Sequence, residues 1–230
     1  MYQTQCDLSP LHDPCRELPL ARKRKPSKRH SSPSSIDPRG TTLRIIGGRL
    51  RGSKLLYAGD LRTRPMKDRV REAAFNLLGP AIKDKHAIDL FAGTGALGLE
   101  AISRGARGAI FIEQHYPTAR VVEQNIAALK LTDRCEVVTA NTFIWARRDP
   151  SLPAEPWVVF FSPPFDFYVE RMDEMLELID TMLRRAPQGS LLLVEADQRL
   201  DFEQLPEADR WDVRAYPPAV LGLLKVGDGA

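Results

Sequence analysis

Residues 86–103 read HAIDLFAGTGALGLEAIS, and this stretch decides the predicted fold. The apolar run at 86–91 predicts a buried strand, and residues 95–104 predict a helix. Three glycines with G-x-G-x-x-G spacing, Gly93, Gly95 and Gly98, lie where the strand passes into the helix. Glycines at this place let the backbone turn sharply and approach a ligand, so we expect a binding site at the carboxyl end of the strand.

The rest of the chain continues this alternation of strands and helices. Further strands are predicted at 106–113, 134–140, 157–161 and 190–196, with two more within 211–226. Further helices are predicted at 117–130, 142–148 and 168–185. Because strands that alternate with helices form parallel sheets covered on both faces, the expected class is α/β with a mainly parallel sheet.

The chain before residue 86 has a different composition. Residues 1–40 are rich in Pro, Ser and charge without hydrophobic periodicity, and we expect a disordered basic tail. The stretch LRIIGGRLRGSKLLY, at 43–57, predicts two short strands around glycines, and apolar spacing predicts a helix at 66–78. The expected parts are the tail at 1–40, a β-hairpin at 41–62 and a main domain at 63–230.

Positive charge is concentrated before the main domain. The net charge is +3 overall, whereas residues 1–40 carry +4, residues 41–71 carry +7 and residues 72–230 carry −8. This asymmetry favours a polyanionic partner such as nucleic acid. For residues 1–40 a solvated tail without a specific partner is an alternative. In 41–71 the charges alternate with strand-like apolar residues, which favours a binding surface.

The composition argues against several other classes of protein. No apolar run approaches the roughly 20 residues of a membrane-spanning helix, and the first residues lack the apolar segment of a secretion signal. The three cysteines, Cys6, Cys15 and Cys135, are too scattered for a disulfide framework or a zinc site. In the sequence, no Cys or carboxylate stands at metal-ligand spacing from His86 or His115. We therefore expect a reduced, cytoplasmic protein that has no membrane association and no metal.

This glycine loop could bind either a nicotinamide dinucleotide or S-adenosylmethionine. Three features of the sequence distinguish between these two ligands. Asp89 lies four residues before Gly93, where a carboxylate repels a pyrophosphate but suits the ammonium group of a methionine moiety. Asn141 follows the third strand, where an amide can bond an adenine edge. The fourth strand ends in SPPF, residues 162–165, which a dehydrogenase does not need. Glu113 ends the second strand and can hold a ribose diol in either case. The sequence favours the methyl donor.

Several elements, in this order and spacing, resemble the RsmD-type 16S rRNA guanine-N2 methyltransferases. They are TRPMKDRVREAAFNLL at 63–78, DLFAGTGALGLEAISRGA at 89–106, the strand-end Glu113, and PPF at 163–165. The resemblance runs from about residue 43 to the C-terminus. It implies a Rossmann-like, class I S-adenosylmethionine-dependent methyltransferase with a seven-stranded sheet and an N-terminal hairpin that helps to grip RNA. The implied partner is 16S rRNA or an assembly intermediate of the small ribosomal subunit, bound by a monomer.

The resemblance also implies which residues bind the donor and which act on the base. The donor-binding residues are Asp89, Phe91, Ala92, Gly93, Thr94, Gly95, Glu113, Gln114, Asn141 and Thr142. The family's motif, Asp or Asn followed by Pro-Pro and Phe or Tyr, falls on the predicted catalytic residues Ser162, Pro163, Pro164 and Phe165. In such a motif a side-chain oxygen and a proline carbonyl accept hydrogen bonds from the guanine amine, and the ring stacks on the extruded base. The amine then turns its lone pair toward the methyl group.

Serine at the first position of the motif departs from the family. A hydroxyl accepts a hydrogen bond, but it is shorter than Asp or Asn and carries no charge. Three interpretations are open. Ser162 and the Pro163 carbonyl position the amine, or Asp166 supplies a carboxylate instead, or the protein binds RNA or the donor without catalysis. Methylation of DNA or of another RNA base is a further alternative.

Basic residues of the hairpin and the following helix predict the RNA-binding surface. They are Arg44, Arg49, Arg51, Lys54, Arg64 and Arg69. By resemblance, the start of this helix lies over the entrance for donor and RNA. For Arg69 and Arg71 the alternative is pairing with Asp68 and Glu72 on a solvated helix face.

The aromatic residues after the prolines also have two interpretations. Phe165 belongs either to the pocket or to the core, and its place directly after the prolines favours the pocket. Phe167 and Tyr168 either line that pocket or pack the following helix.

Overall fold

The structure is a computed structural model, and it describes residues 42–57 and 66–227. The predicted tail at 1–40 and the predicted RNA-binding Arg64 lie outside the described residues. Within the described ranges, no helix combines the length and the apolar character needed to cross a membrane.

Seven strands in the described part of the chain form one sheet. They are β1 His86–Asp89, β2 Gly108–Ile112, β3 Cys135–Val138, β4 Trp157–Phe161, β5 Leu191–Asp197, β6 Asp212–Tyr216 and β7 Ala219–Lys225. Their order is β3-β2-β1-β4-β5-β7-β6, in which the first five are parallel and β7 is antiparallel to both of its neighbours. The expected mostly parallel, seven-stranded α/β sheet is confirmed.

Helices cover both faces of this sheet. They are α1 Asp68–Leu78, α2 Ala96–Ser103, α3 Tyr116–Ala128, α4 Thr142–Arg147, α5 Phe167–Glu170 and α6 Met172–Arg185. Successive side chains of a strand point to opposite faces, so Ala87 and Ile88 of β1 belong to different apolar clusters. The cluster around Ala87 includes side chains of α1, α2 and α3, and the cluster around Ile88 includes those of α4 and α6.

The predicted helix at 168–185 is two helices, α5 and α6, which are separated at Arg171. The backbone of Arg171 leaves the helical region, with φ −136° and ψ 34°. Its guanidinium lies over the rings of Phe143 and Phe167, at 4.2 and 4.8 Å from their centroids, and pairs with Glu174. Apolar spacing continues across the break, which is why the sequence pattern predicts one helix.

The predicted hairpin at 43–57 has antiparallel pairing but no regular strands. Arg44 and Lys54 form an isolated antiparallel bridge, and the Ile45 N–H donates to the Ser53 carbonyl at 2.9 Å. Instead of standing apart, the segment packs its apolar side chains into the core of the main domain. These buried side chains are Leu43, Ile45, Leu55 and Tyr57.

Buried polar side chains of α2 and α3 hold this segment in place. The Ile46 N–H donates to Glu100 Oε2 at 2.8 Å, and the Leu50 N–H donates to Ser103 Oγ at 2.9 Å. At Gly48, where φ is +75°, a Cβ would lie 2.0 Å from the Ser103 carbonyl oxygen, so only glycine allows this approach. The turn is therefore fixed against the end of α2.

Candidate active site

A cleft with a cavity volume of about 680 Å³ opens at the carboxyl ends of β1, β2, β4 and β5. The sequence order of the strands reverses between β1 and β4, and ligands of open α/β sheets bind at such a switch point. All four predicted catalytic residues, 162–165, line the cleft. Eight predicted donor-binding residues also line it: Phe91, Ala92, Gly93, Thr94, Glu113, Gln114, Asn141 and Thr142.

Glu113 joins the glycine loop to the segment that leads into α3. Its Oε2 accepts a hydrogen bond from the Gly93 N–H at 2.9 Å, and its Oε1 accepts one from the His115 N–H at 2.8 Å. Gly93 has φ +52° and Gly95 has φ +75°, a backbone region that favours glycine. The loop thus exposes main chain and a carboxylate to the same part of the cleft.

Asp89 and Gly95 are the two predicted donor-binding residues that are not among those lining the cleft. Asp89 is 1% exposed, and its Oδ2 accepts a hydrogen bond from the Gly98 N–H at 3.1 Å. Its other oxygen, Oδ1, is buried without a hydrogen-bond partner. Burial first, and then the charge of Glu113, raise the pKa of Asp89 to about 7. This carboxyl therefore supports the loop from behind.

Asn141 caps the N-terminus of α4. Its Oδ1 accepts hydrogen bonds from the Phe143 and Ile144 N–H groups at 3.1 and 3.2 Å. Its Nδ2 donates to Gln114 Oε1 at 3.3 Å, across the cleft edge between β2 and β3. The side-chain carbonyl oxygen of Asn141 therefore already accepts two hydrogen bonds from α4. The side-chain amino group is the part that can also donate a hydrogen bond to a ligand.

An aromatic wall stands beside the glycine loop, and the sequence analysis named its Phe91 and Phe167 but missed Phe143 and Arg171. The rings of Phe91 and Phe143 are 5.9 Å apart between centroids, and those of Phe91 and Phe167 are 6.1 Å apart. Arg171 covers two of these rings and lines the cleft with them. No sequence spacing relates these residues, because each comes from a different loop or helix start.

Ser162 does not stand alone at the start of the SPPF loop. Its hydroxyl donates a hydrogen bond to Oε2 of Glu195, a residue that the sequence analysis did not select. Glu195 is 6% exposed, and burial raises its pKa to about 7 although the Ser162 hydrogen bond acts in the opposite direction. The signal that could have found it is a carboxylate inside the apolar run LLLVEA, at 191–196.

Asp166, the alternative carboxylate, also lines the cleft but is bonded elsewhere. Its side chain is 66% exposed and pairs with Arg199 at 2.9 Å, and Arg199 also pairs with Asp197 at 2.8 Å. Phe165 is half-buried, lines the cleft and packs against the core, so both of its interpretations hold in part. Phe167 lines the cleft as well, whereas Tyr168 is buried in the core.

The predicted RNA-binding residues in the described ranges are exposed and lie outside the cleft. They are Arg44, Arg49, Arg51, Lys54 and Arg69. Arg71 is different, because its side chain is fully buried, so of the alternative interpretation the pairing with Asp68 holds but the solvated face is wrong. It pairs with Asp68 at 2.9 Å and donates to the Arg44 carbonyl at 2.7 Å, which ties α1 to the hairpin segment.

The described part of the chain contains no candidate metal-binding site. Within residues 42–57 and 66–227 no group of three or more His, Cys, Asp or Glu side chains is placed to hold a metal ion.

Comparison with known proteins places this chain in a family. The family described as conserved hypothetical protein 95 matches residues 43–217, which is most of the chain. This chain belongs to that family. The resemblance to RsmD-type proteins that the sequence motifs indicate is confirmed by this match and by the relatives below.

Curated relatives of this family carry methyltransferase names. Ribosomal RNA small subunit methyltransferase D of Escherichia coli K12 is 43% identical over 125 residues, which cover 54% of this chain and 60% of that protein. Putative rRNA methyltransferase YlbH of Bacillus subtilis is 30% identical over 169 residues, which cover 72% of this chain and 86% of that protein. The chain thus spans about 60% of the length of the Escherichia coli relative.

Solved structures share the fold. The putative methyltransferase yhhF from Escherichia coli has a TM-score of 0.63 at 32% identity, covering 80% of this chain and 97% of that one. An RNA methyltransferase from Salinibacter ruber in complex with S-adenosyl-L-homocysteine has a TM-score of 0.53 at 12% identity, covering 73% and 96%. The fold of this family member is therefore that of the class I methyltransferases.

Proposed function

We propose that this protein is an S-adenosylmethionine-dependent methyltransferase that modifies the exocyclic N2 of a guanine in 16S ribosomal RNA. The observation that carries the proposal is the convergence of the glycine loop and the SPPF loop on one cleft. The names of the family relatives, which refer to rRNA and to the small ribosomal subunit, support the substrate class.

The described residues fit the donor. S-adenosylmethionine supplies an electrophilic methyl group on a positively charged sulfur. The Glu113 carboxylate, fixed at the end of β2, suits the ribose hydroxyls, and the wall formed by Phe91 and Phe143 suits the flat adenine. The main chain around Gly93 allows close approach of the methionine portion, and the buried carboxyl of Asp89 supports this loop from behind through the Gly98 N–H.

The SPPF loop fits the acceptor base. The carbonyl of Pro163 and the hydroxyl of Ser162 are the acceptors for the two N–H groups of the guanine amine. Two consecutive prolines restrict the backbone, so these acceptors keep their direction. Phe165 presents a half-buried ring at the same edge for stacking on the extruded base.

The basic surface of the hairpin segment fits the rest of the RNA. Four exposed cations, Arg44, Arg49, Arg51 and Lys54, lie on a turn that is held against α2. Phosphate contacts position a nucleic acid without reading its sequence, and the cleft then selects the base. The partner is small-subunit rRNA, free or within an assembly intermediate, and the protein acts as a cytoplasmic monomer.

Methyl transfer to rRNA tests the proposal directly. We would incubate the protein with labelled S-adenosylmethionine and with 16S rRNA or small subunits that lack the modification, and identify the methylated nucleoside by mass spectrometry. The expected product is N2-methylguanosine. Ser162→Ala should be slower, and Ser162→Asp, which restores the family's residue, should be active.

Calorimetric binding of the donor separates the proposal from its alternative. The serine at position 162, where the family has Asp or Asn, supports a second candidate function, which is RNA binding without catalysis. Donor binding by the wild type, with no transfer to any RNA and transfer only by Ser162→Asp, would establish that second candidate. Methylation at another base would agree with a methyltransferase activity but would overturn the assignment of guanine as the acceptor.

A further inference from the structure

Ser162 directly follows β4, and Glu195 lies beside it near the carboxyl end of the neighbouring parallel strand β5. Phe161 of β4 is in register with Val194 of β5, so the next residue on each strand is one member of the pair. The Ser162 hydroxyl donates to Glu195 Oε2, and both residues line the cleft. The contact thus joins the first residue of the SPPF loop to a carboxylate that its motif lacks.

We infer that Glu195 is a positioning residue, and that the Ser162–Glu195 pair does the work of the Asp or Asn that the family has at position 162. The inference rests on the proposed function, since it concerns the same guanine amine. A hydroxyl has one donor and two acceptor lone pairs, and an ionised carboxylate only accepts. When Glu195 is ionised, the Ser162 proton points at Glu195, and the Oγ lone pairs remain for the amine.

The carboxylate also supplies the charge that serine lacks. A hydrogen bond to an ionised group is stronger than a neutral one, and a chain of hydrogen bonds polarises its members. As the N2–carbon bond forms and the carbon–sulfur bond breaks, N2 becomes positive. One amine proton then passes to Ser162 Oγ while the Ser162 proton passes to Glu195 Oε2, which leaves a neutral thioether and a neutral methylamine.

The groups around the pair favour Glu195 over Asp166 for this role. Asp166 is mostly exposed and already paired with Arg199, which also holds Asp197. On the other side, Tyr168 of α5 has a buried hydroxyl without a hydrogen-bond partner, and burial and Glu195 both raise its pKa. Tyr168 therefore stays neutral and leaves the charge of the pair on Glu195.

The pH dependence of methyl transfer tests the inference. The wild-type kcat should rise as pH increases through about 7, where Glu195 ionises. Glu195→Gln should lower kcat at least about tenfold at high pH and flatten the profile, with little change in KM for the donor or RNA. The same Glu195→Gln change in the Ser162→Asp background should be neutral or favourable, because two adjacent carboxylates repel each other.

A titration without donor or RNA gives an independent measurement. Carbon NMR of labelled glutamate carboxyls should show one that titrates near 7 and that Glu195→Gln removes. Ser162→Ala should raise the pKa of that carboxyl further, because the lost hydrogen bond favoured the ionised form. Melting temperatures check that each variant is folded.

The outcomes separate this inference from the proposed function. A wild type that transfers no methyl group to RNA would overturn the proposed function. If the wild type is active and Glu195→Gln has the same kcat and the same pH profile, the role of Glu195 is overturned and the proposed function stands. In that case the hydrogen bond only joins the ends of β4 and β5, and the variant should differ in melting temperature without a change in pH dependence.

Discussion

The buried carboxyl of Asp89 makes the stability of this protein depend on pH. Its pKa is raised from 3.8 to about 7 in the folded chain, so between these values the folded state holds a proton that the unfolded state has released. The free energy of unfolding should therefore fall as pH rises from about 4 to about 7 and level off above that. Asp89→Asn should remove the Asp89 contribution to this fall, which we put at more than about 1 kcal/mol.

Urea unfolding at several pH values measures this effect. Glu195→Gln is a parallel variant, because Glu195 is another buried carboxyl with a pKa near 7. Each variant should remove its own share of the pH dependence. An Asp89→Asn variant with the same slope as the wild type would show that Asp89 is ionised throughout.

Gly98, the third glycine of the loop motif, is required by packing between a helix and a strand. A Cβ at this position would lie 2.3 Å from Cε1 of the buried Phe111 ring on β2. Gly98→Ala should therefore destabilise the fold by about 1–3 kcal/mol, the usual cost of overpacking a core. The measurement is the free energy of unfolding in urea.

A double-mutant cycle identifies the clash as the cause. Phe111→Leu leaves space where the ring was, so Gly98→Ala should cost less in that background than in the wild type. Equal costs in both backgrounds would mean that the clash with the Phe111 ring is not the cause.

At the scale of secondary-structure elements, α4 depends on its N-cap residue, Asn141. Asn141 accepts from two N–H groups of the first turn, and a cap of this type is worth about 1 kcal/mol. Asn141→Ala should lose about that much stability, whereas Asn141→Asp should keep it because a carboxylate also caps a helix.

Donor binding by the same two variants separates capping from ligand contact. If the Asn141 amino group bonds the adenine, Asn141→Asp should weaken donor binding in calorimetry while leaving stability intact. Undiminished donor affinity in Asn141→Asp would limit Asn141 to the structural role.

The attachment of the hairpin segment depends on Asn125 of α3. This side chain is 2% exposed, accepts from the Leu56 N–H at 2.7 Å and donates to the Leu56 carbonyl at 3.1 Å. Asn125→Ala leaves both main-chain groups without these partners, so the free energy of unfolding should fall by about 1–3 kcal/mol. Amide hydrogen exchange within 43–57 should accelerate.

Asn76 provides a matched control for this prediction. It is exposed on α1, and Asn76→Ala should change neither stability nor exchange noticeably. If Asn125→Ala behaves like Asn76→Ala, the apolar contacts of the segment are sufficient to hold it.

For the whole molecule, the distribution of positive charge should govern RNA affinity. Residues 41–71 carry +7 and residues 72–230 carry −8, so binding should weaken steeply with salt. Neutralising Arg49 and Arg51 together, each to Gln, should reduce the slope of log affinity against log salt by about 1–2.

Two arginines on the other face of the sheet provide the control. Arg147 of α4 and Arg184 of α6 are similarly exposed but lie on helices that pack into the opposite apolar cluster. Changing both to Gln alters the net charge equally and should leave the salt slope unchanged. Equal effects of the two pairs would show that net charge, not the hairpin surface, determines affinity.

Local patterns in the sequence were sufficient for the fold and for most of the cleft. The alternation of apolar strands and amphipathic helices depends on neighbouring residues, and so does the glycine spacing after β1. For this reason the seven strands follow from the chain alone, whereas the twelve predicted residues that line the cleft follow from these patterns together with the resemblance to the family. The break at Arg171 did not, because apolar spacing continues through it and the cause is a contact with Phe143 and Phe167.

Only the tertiary structure determined the contacts between distant parts of the chain. Arg71 follows helical spacing like its neighbours, yet it is buried because the hairpin segment folds over it. Glu195 is one carboxylate in an apolar strand until parallel register with β4 brings it against Ser162. Strand register depends on the packing of the whole sheet and not on local composition. The sequence by itself therefore determined where the cleft lies, and the tertiary fold determined which carboxylate lies against its SPPF loop.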